Sequence, residues 1–189
     1  MLSGVQVGGL TSLQLRALGS EQVGAFGTEA FGALKSVQLG AISTGGVMGL
    51  RTEQLAVLGS RQAIGLTSAQ LRALSSEQFG VLSTEVVRGL STVQLSGLGS
   101  EVIAGMTTEQ VGVLTSVQLG SISTGGLVGM ESEDLGVLSS VQVKGFGSRQ
   151  LRALGTEQIA AIGAGAVGGL SSAGMNGMTS ERAQSWGIS

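Results

Sequence analysis

A period of eight residues, kept without insertion or deletion from Leu2 to Ser185, constrains this chain more than any other feature. It divides the sequence into 23 octads such as LTSLQLRA, LGSEQVGA and LRTEQLAV. Positions 1 and 6 of the octad are always apolar, position 3 is almost always Ser or Thr, position 5 is commonly Gln, and position 8 is small. A fixed short period predicts a solenoid, in which each unit buries its apolar side chains only against its neighbours.

The octad pattern predicts a short helix in every unit. Position 6 and position 1 of the next octad are three residues apart, which is the spacing of one helix face. The Ser or Thr at position 3 is predicted to be the N-cap, because its hydroxyl can accept a hydrogen bond from an orphan N–H. Glu at position 4, as in Glu53, then lies in the first turn, where the helix dipole favours negative charge. Gly at position 2, as in Gly19, is predicted to be the left-handed residue that ends the preceding helix.

The predicted fold class is therefore an all-α repeat solenoid of very short helices, each followed by a sharp corner. Isolated helices under about 12 residues are marginal, so stacking between units has to stabilise them. A triangular parallel β-solenoid stays open as the alternative, with Leu and Val rows inside and ladders of Gln and Ser/Thr. A continuous long helix is the weakest of the three, because eight residues at about 100° each leave the apolar stripe about 80° out of step.

Position 4 indicates how many octads form one coil, because residues that stack on one another should resemble each other. Over short separations, identical residues recur most often three octads apart, which predicts a coil of 24 residues. A longer similarity, between KSVQLGAISTGGVMGL from Lys35 and TSVQLGSISTGGLVGM from Thr115, indicates a duplication. The ladders are Glu29, Glu53, Glu77 and Glu101; Glu85, Glu109, Glu133, Glu157 and Glu181; and Val93, Val117 and Val141.

Composition excludes most chemistry. The chain has no His and no Cys, so it offers no Ser-His or Cys-His nucleophile, no imidazole or thiolate zinc site and no disulfide. We expect no enzymatic activity, no cofactor and no metal. Ten basic residues against twelve acidic ones make no basic stripe for nucleic acid. Polar residues interrupt every apolar run before the roughly 18 residues that a membrane span needs, and no cleaved signal peptide is visible at the start.

The segment LTSAQLRALSSEQFGVL, from Leu66 to Leu82, resembles the LTTxQ[IV]xA octapeptide tracts of very large bacterial surface or exported proteins. Such proteins are often labelled as adhesion or haem-utilisation proteins, and the likeness extends over essentially the whole chain. The resemblance implies a surface, matrix or filament role without catalytic residues, in an extracellular or cell-surface location. The haem label finds no support, because the chain has neither His nor Tyr.

Two classes of function remain open. The first is a structural protein that assembles with itself into a surface layer, sheath or extracellular fibre. The second is a protein- or glycan-binding solenoid module of an exported adhesin or effector. A binding face should concentrate aromatic and Arg residues, whereas the outward positions 2, 4 and 7 carry no aromatic residue. The sequence therefore favours the structural protein, whose partner is the chain itself.

We predict a single solenoid over residues 2–185, with degenerate units in 162–189 where Gln disappears from position 5. Contact between copies is predicted either end to end or laterally, since solenoid ends expose apolar interiors unless they are capped. The Gly-Gly pairs mark a loosened corner or a close approach of another backbone. Three acidic residues, Glu131, Glu133 and Asp134, lack the loop of a dedicated calcium site. The residues predicted to take part in assembly are Leu2, Trp186, Gly45, Gly46, Gly125 and Gly126.

Overall fold

The computed structural model describes residues 3–170, and in this range one short helix follows another, 21 in all, with no strand. Each helix has four to six residues and occupies one octad, so the prediction of an all-α repeat solenoid is confirmed and the β-solenoid is wrong. Each helix lies against the helix three places later in the chain. Three octads therefore form one coil of 24 residues, as the ladders at position 4 predict.

Stacking in threes gives the solenoid three faces, which we call A, B and C. Face A consists of α1 (Gly4–Gly8), α4 (Thr28–Gly32), α7 (Thr52–Ala56), α10 (Ser76–Gly80), α13 (Ser100–Ala104), α16 (Thr124–Leu127) and α19 (Ser148–Ala153). Face B consists of α2 (Ser12–Ala17), α5 (Ser36–Ala41), α8 (Ser60–Ala63), α11 (Thr84–Gly89), α14 (Thr108–Gly112), α17 (Ser132–Gly136) and α20 (Thr156–Ala161). Face C consists of α3 (Ser20–Gly24), α6 (Thr44–Met48), α9 (Ser68–Arg72), α12 (Thr92–Ser96), α15 (Ser116–Ser121), α18 (Ser140–Val143) and α21 (Ala164–Val167).

The core is filled from positions 1 and 6, as the pattern predicts. Leu71 at position 6 and Leu74 at position 1 are both buried, and the four Phe side chains are buried in the same two registers. Position 1 nevertheless lies outside the helix, in an extended residue that follows it, as at Leu18 with φ −73° and ψ 132°. The helix and its linker thus each contribute one inward side chain, and the core runs as a single cluster along the solenoid.

The predicted N-cap is wrong by one residue: position 2 caps each helix, and position 3 is the first helical residue. In α9 the Thr67 hydroxyl accepts the Gln70 N–H at 3.2 Å, and the Gln70 Oε1 accepts the Thr67 N–H at 2.7 Å. This is the reciprocal capping box, which needs Ser or Thr three residues before Gln. Only position 2 stands at that distance from position 5. The hydroxyl N-caps are Ser3, Thr11, Ser43, Thr67, Ser75, Ser83, Ser91, Thr107, Thr115, Ser123 and Ser139.

The prediction of left-handed glycines at position 2 is also wrong. Gly19 is the N-cap of α3 in extended conformation, with φ −84° and ψ 176°. The corner is instead made by a right-handed residue at position 8, such as Ala73 with φ −83° and ψ −9°, followed by extended residues at positions 1 and 2. None of the glycines in residues 3–170 has a left-handed φ. The Gln of the same octad accepts the N–H of the N-cap residue, at 2.9 Å both from Gly19 to Gln22 and from Lys35 to Gln38, so this bond does not require glycine.

Glutamine at position 5 connects each coil to the one before it. The Gln54 Oε1 accepts the N–H of Arg51, its own N-cap, at 2.8 Å. Its Nε2 donates to the carbonyls of Val23 at 3.0 Å and Phe26 at 2.9 Å, 31 and 28 residues earlier. The Val23 carbonyl lies in the last turn of α3, where carbonyls have no partner within the helix, and the Phe26 carbonyl lies in the linker that follows. The same reach recurs at Gln38, Gln62, Gln70, Gln78, Gln94, Gln110, Gln118, Gln142, Gln150 and Gln158.

Small residues at positions 7 and 8 allow successive coils to approach each other closely. A Cβ added to Gly24 would lie 2.6 Å from the carbonyl oxygen of Gly49 on the next coil. A Cβ added to Gly49 would in turn fall on the Ser20 backbone. The sequence pattern shows that position 8 is small, and the structure shows that contact between stacked helices is the reason.

Candidate functional site

The outward residues at position 4 form one row on each face, and all of them are exposed. Stacking brings the predicted ladders together, apart from Glu181, which lies outside the described residues. Face A carries four successive glutamates, face B carries four further along the solenoid, and face C carries valines. The rows are Glu29, Glu53, Glu77 and Glu101 on face A; Glu85, Glu109, Glu133 and Glu157 on face B; and Val93, Val117 and Val141 on face C.

Face C differs from the other two in charge. From α6 to α21 its helices and their N-caps contain no acidic residue, and the charged side chains there are Arg72 and Lys144. Its three valines are 71%, 69% and 62% exposed in chain order. The same face exposes Met48 in α6. This face is therefore an apolar and nearly neutral strip along the solenoid.

The glutamates of the first turn behave as the helix dipole argument predicts where a pKa shift is resolved. Hydrogen bonds from its own backbone N–H and from the Thr107 hydroxyl lower the pKa of Glu109. The N-terminal end of a helix favours the ionised carboxylate for the same reason. The Glu109 carboxylate on face B is consequently ionised at neutral pH.

Asp134 departs from this pattern, because it occupies the buried position 5 in place of Gln. Its Oδ2 accepts the Glu131 N–H at 3.3 Å. Burial raises its pKa, and the nearby charges of Glu131 and Glu133 raise it further, against the opposing effect of the Glu131 hydrogen bond. Within residues 3–170 no group of three or more acidic side chains could hold a metal ion.

The Gly-Gly pairs lie in helix first turns and not at corners. Gly46, in α6, replaces the usual Gln, and a Cβ there would lie 3.2 Å from the carbonyl oxygen of Leu18 on the preceding coil. Gly126, in α16, has the same environment, 2.7 Å from the Leu98 carbonyl. The second glycine of each pair therefore marks a close backbone approach, whereas a Cβ on Gly125 would meet nothing within 4 Å.

The remaining predicted assembly residues are not brought together. Gly45 is exposed on face C and Gly125 is exposed on face A. Gly125 and Gly126 line a surface groove of about 310 Å³ together with Gly97 and Arg72. Leu2 and Trp186 lie outside the described residues, as do the degenerate units beyond residue 170. No helix of the described part is long and apolar enough to cross a membrane.

Sequence reasoning missed the residue that links the coils, the glutamine at position 5. The signal was present as Ser or Thr at position 2 with Gln three residues later, which is a capping-box pattern. Hydroxyl residues are more uniform at position 3, which therefore looked like the better N-cap. The second function of the Gln, toward carbonyls 28 to 31 residues earlier, has no local signature in the sequence.

Comparison with known families gives a match to the ALTTAQ repeat in two segments, residues 64–92 and 127–164. Both segments lie within the solenoid and follow the octad register. A comparison with curated proteins gives no match. The chain is thus similar over these two segments to a tandem-repeat family.

Proposed function

We propose that this chain is a structural protein that assembles with itself into a fibre, sheath or surface layer outside the cell. The observation that carries the proposal is the partial repetition of the surface: each face presents one residue type at position 4 over three or four successive coils, Glu on faces A and B and Val on face C. A row of identical residues suits contact with another molecule that has the same repeat, because every coil of the row contributes one equivalent contact. Heterologous contacts that do not close produce filaments, whereas two-fold contacts produce pairs.

The chemistry of the polar residues supports the same proposal. Hydroxyls at position 2 accept N–H groups at helix starts, and Gln amides bind backbone carbonyls of the preceding coil. These side chains are therefore engaged in holding the solenoid together. In residues 3–170 the aromatic side chains are the four phenylalanines, which are buried in the core, so this part of the chain exposes no aromatic anchor of the kind typical of binding hot spots. The resemblance to repeat tracts of bacterial surface proteins supports the proposed location.

Electron microscopy of the purified chain, with light scattering over a wide range of concentration, tests the proposal. We expect ordered fibres, sheets or a mass that rises with concentration at physiological salt. Leu119→Asp, which introduces a charge into the fully buried position 6 of α15, is the control for non-specific aggregation and should yield no ordered assemblies. A wild-type chain that stays strictly monomeric at every concentration would refute self-assembly.

A further inference from the structure

We propose that two copies of this chain pair side by side through face C, antiparallel, about a two-fold axis at Val117. The proposal rests on the proposed function and names one of the surfaces that self-association uses, since a two-fold pair is closed and a fibre needs a second contact between pairs. Face C contributes the exposed valine row of α12, α15 and α18. Position 7 beside this row is Ser96 in α12 and Gly120 in α15, so short side chains flank Val93 and Val117, whereas Lys144 follows α18 beside Val141. A contiguous apolar strip of this kind is typical of a surface that another molecule covers.

Charge selects a second face C as the occupant. On faces A and B the position 4 rows contain four successive glutamates each, so pairing either face with itself would bring like charges together. Val37 is exposed on face B, but its row continues into Arg61 and then Glu85 and Glu109. From α6 onward only face C has no acidic side chain among the described residues. A face C surface can therefore meet another face C surface without burying carboxylates, which is costly unless they are paired.

The spacing of the valines also points to a copy of the same chain. Val93, Val117 and Val141 occur once per coil, so their separation is set by the repeat of this solenoid. A partner whose own contacts repeat at another distance would match one valine and miss the next. A second copy of the chain has the same repeat, so all three valines of one copy can contact valines of the other at the same time.

The two basic residues of face C decide the relative direction of the copies. In parallel alignment Lys144 would lie opposite Lys144 of the second copy, and like charges would be opposed. In antiparallel alignment about Val117, Val93 meets Val141 of the second copy. Lys144 then lies opposite the coil of Ser96, and Arg72, two coils from the axis, lies opposite α21, where position 7 is Gly168. The antiparallel register therefore opposes no two charges of equal sign among the described residues.

The duplication within the chain supplies a matched control. Val37 and Val117 stand at the same place in SVQLGA and SVQLGS, and they are 74% and 69% exposed. The duplication spans ten octads, which is not a multiple of three, so Val37 lies on face B and Val117 on face C. Sedimentation equilibrium of Val117→Lys and Val37→Lys compares face C with face B, because the same substitution is made in nearly the same local sequence at similar exposure. We expect Val117→Lys to weaken association at least tenfold and Val37→Lys to change it less than twofold.

Cysteine crosslinking tests the direction, because the natural chain has no Cys. Val117→Cys should form a disulfide-linked dimer on mild oxidation, since the axis places the two thiols together, and Val37→Cys should not. Val93→Cys mixed with Val141→Cys should give the crosslinked pair that neither variant gives alone. Crosslinking of Val93→Cys with itself, without a mixed product, would overturn the antiparallel register.

The outcomes separate this inference from the function it rests on. If the wild type associates and Val117→Lys associates equally well, with circular dichroism showing both folded, face C pairing is refuted while self-assembly stands. If the wild type is monomeric at every concentration, both fail. Co-sedimentation of such a monomer with cellulose, lost in Val117→Lys, would assign face C to an uncharged glycan and overturn pairing between copies.

Discussion

At the scale of single residues, the glutamine at position 5 solves two hydrogen-bonding problems with one side chain. Very short helices have nearly all of their terminal N–H and C=O groups unpaired within the helix. The amide oxygen of Gln accepts an N–H at the start of its own helix, and the amide nitrogen donates to carbonyls at the end of a helix in the preceding coil. Two octads without Gln have a buried apolar residue at this position, Val86 and Val102. Buried polar atoms need partners, and Gln supplies them in most coils.

We predict that Gln70→Ala lowers the free energy of unfolding by about 2 kcal/mol, since it removes the Gln70 donor from the buried Ile42 carbonyl, at about 1 to 3 kcal/mol for a carbonyl left unpaired. The Leu39 carbonyl also loses its bond to Gln70 but keeps the Ile42 N–H at 3.1 Å. Gln22, on the same face, is exposed, and its side chain accepts the Gly19 N–H without reaching another coil in the described part. Gln22→Ala should therefore cost only about 0.5 to 1 kcal/mol. Urea unfolding of both variants measures the difference, and equal losses would contradict the bridging role.

Asp134 stands where most octads have Gln, and restoring Gln at this position should stabilise the folded chain. Its carboxylate is shorter than a Gln side chain and, when ionised, has no proton to donate to the preceding coil. We predict that Asp134→Gln raises the free energy of unfolding by about 1 to 2 kcal/mol at neutral pH. Glu133→Gln, at the exposed neighbouring position, is the control and should change stability by less than about 0.5 kcal/mol. Thermal melts or urea unfolding distinguish the two variants.

Asp134 also predicts a pH dependence. Because burial raises its pKa in the folded chain, the folded state binds the proton more tightly than the unfolded state. The stability contributed by the protonated form is complete below the unfolded pKa and is lost as pH rises through the folded pKa. As the pH falls from 7 to 4, the wild type should therefore gain stability relative to Asp134→Gln. A constant difference between the two chains over this range would contradict the raised pKa.

At the scale of the helix, stacking takes the place of intrinsic helix stability. No described helix exceeds six residues, and such helices are unstable alone. The stacked geometry requires glycine at certain helix ends, although glycine lowers helix propensity by close to 1 kcal/mol relative to alanine. Gly105, which follows α13, would place a Cβ on the Ser76 backbone, whereas Gly112, at the end of α14, has open space around it. The cost of a glycine thus depends on the neighbouring coil.

We predict opposite signs for the same substitution at these two glycines. Gly105→Ala should destabilise the chain by about 1 to 3 kcal/mol, because the Ser76 backbone has to move to admit a methyl group. Gly112→Ala should stabilise it by about 0.4 to 1 kcal/mol, since alanine favours the helix and restricts the unfolded chain. Chemical unfolding of the two variants checks this. Stabilisation by both would show that the coils are not in close contact at Gly105.

At the scale of the whole molecule, a solenoid couples each coil only to its neighbours, so a defect remains local until the stacking around it fails. Leu119 in α15 is fully buried, and its neighbours on face C are α12 and α18. Burying an unpaired carboxylate at this site costs more than one coil can recover from its own contacts. The two parts of the array on either side would then unfold separately.

We therefore predict that Leu119→Asp unfolds the chain or divides it at α15. Hydrogen exchange should show lost protection from α12 to α18, with α4 to α9 protected if the array divides. Arg72→Ser, at an exposed position on the same face, should leave protection and melting temperature nearly unchanged. A wild-type exchange pattern in Leu119→Asp, or damage by Arg72→Ser as large as by Leu119→Asp, would refute the inward and outward assignment of the octad.

The sequence by itself determines the repeat, the helical character of each octad, the two inward positions and the coil of three octads. These properties follow from local spacing and from a similarity that recurs at a fixed interval, both of which are visible in the letters. The tertiary structure alone decides that Gln70 reaches Leu39 and Ile42, and that Gly105 has to be glycine while Gly112 does not. Each of these depends on contacts between neighbouring coils. The sequence of a single octad does not show how the next coil packs against it.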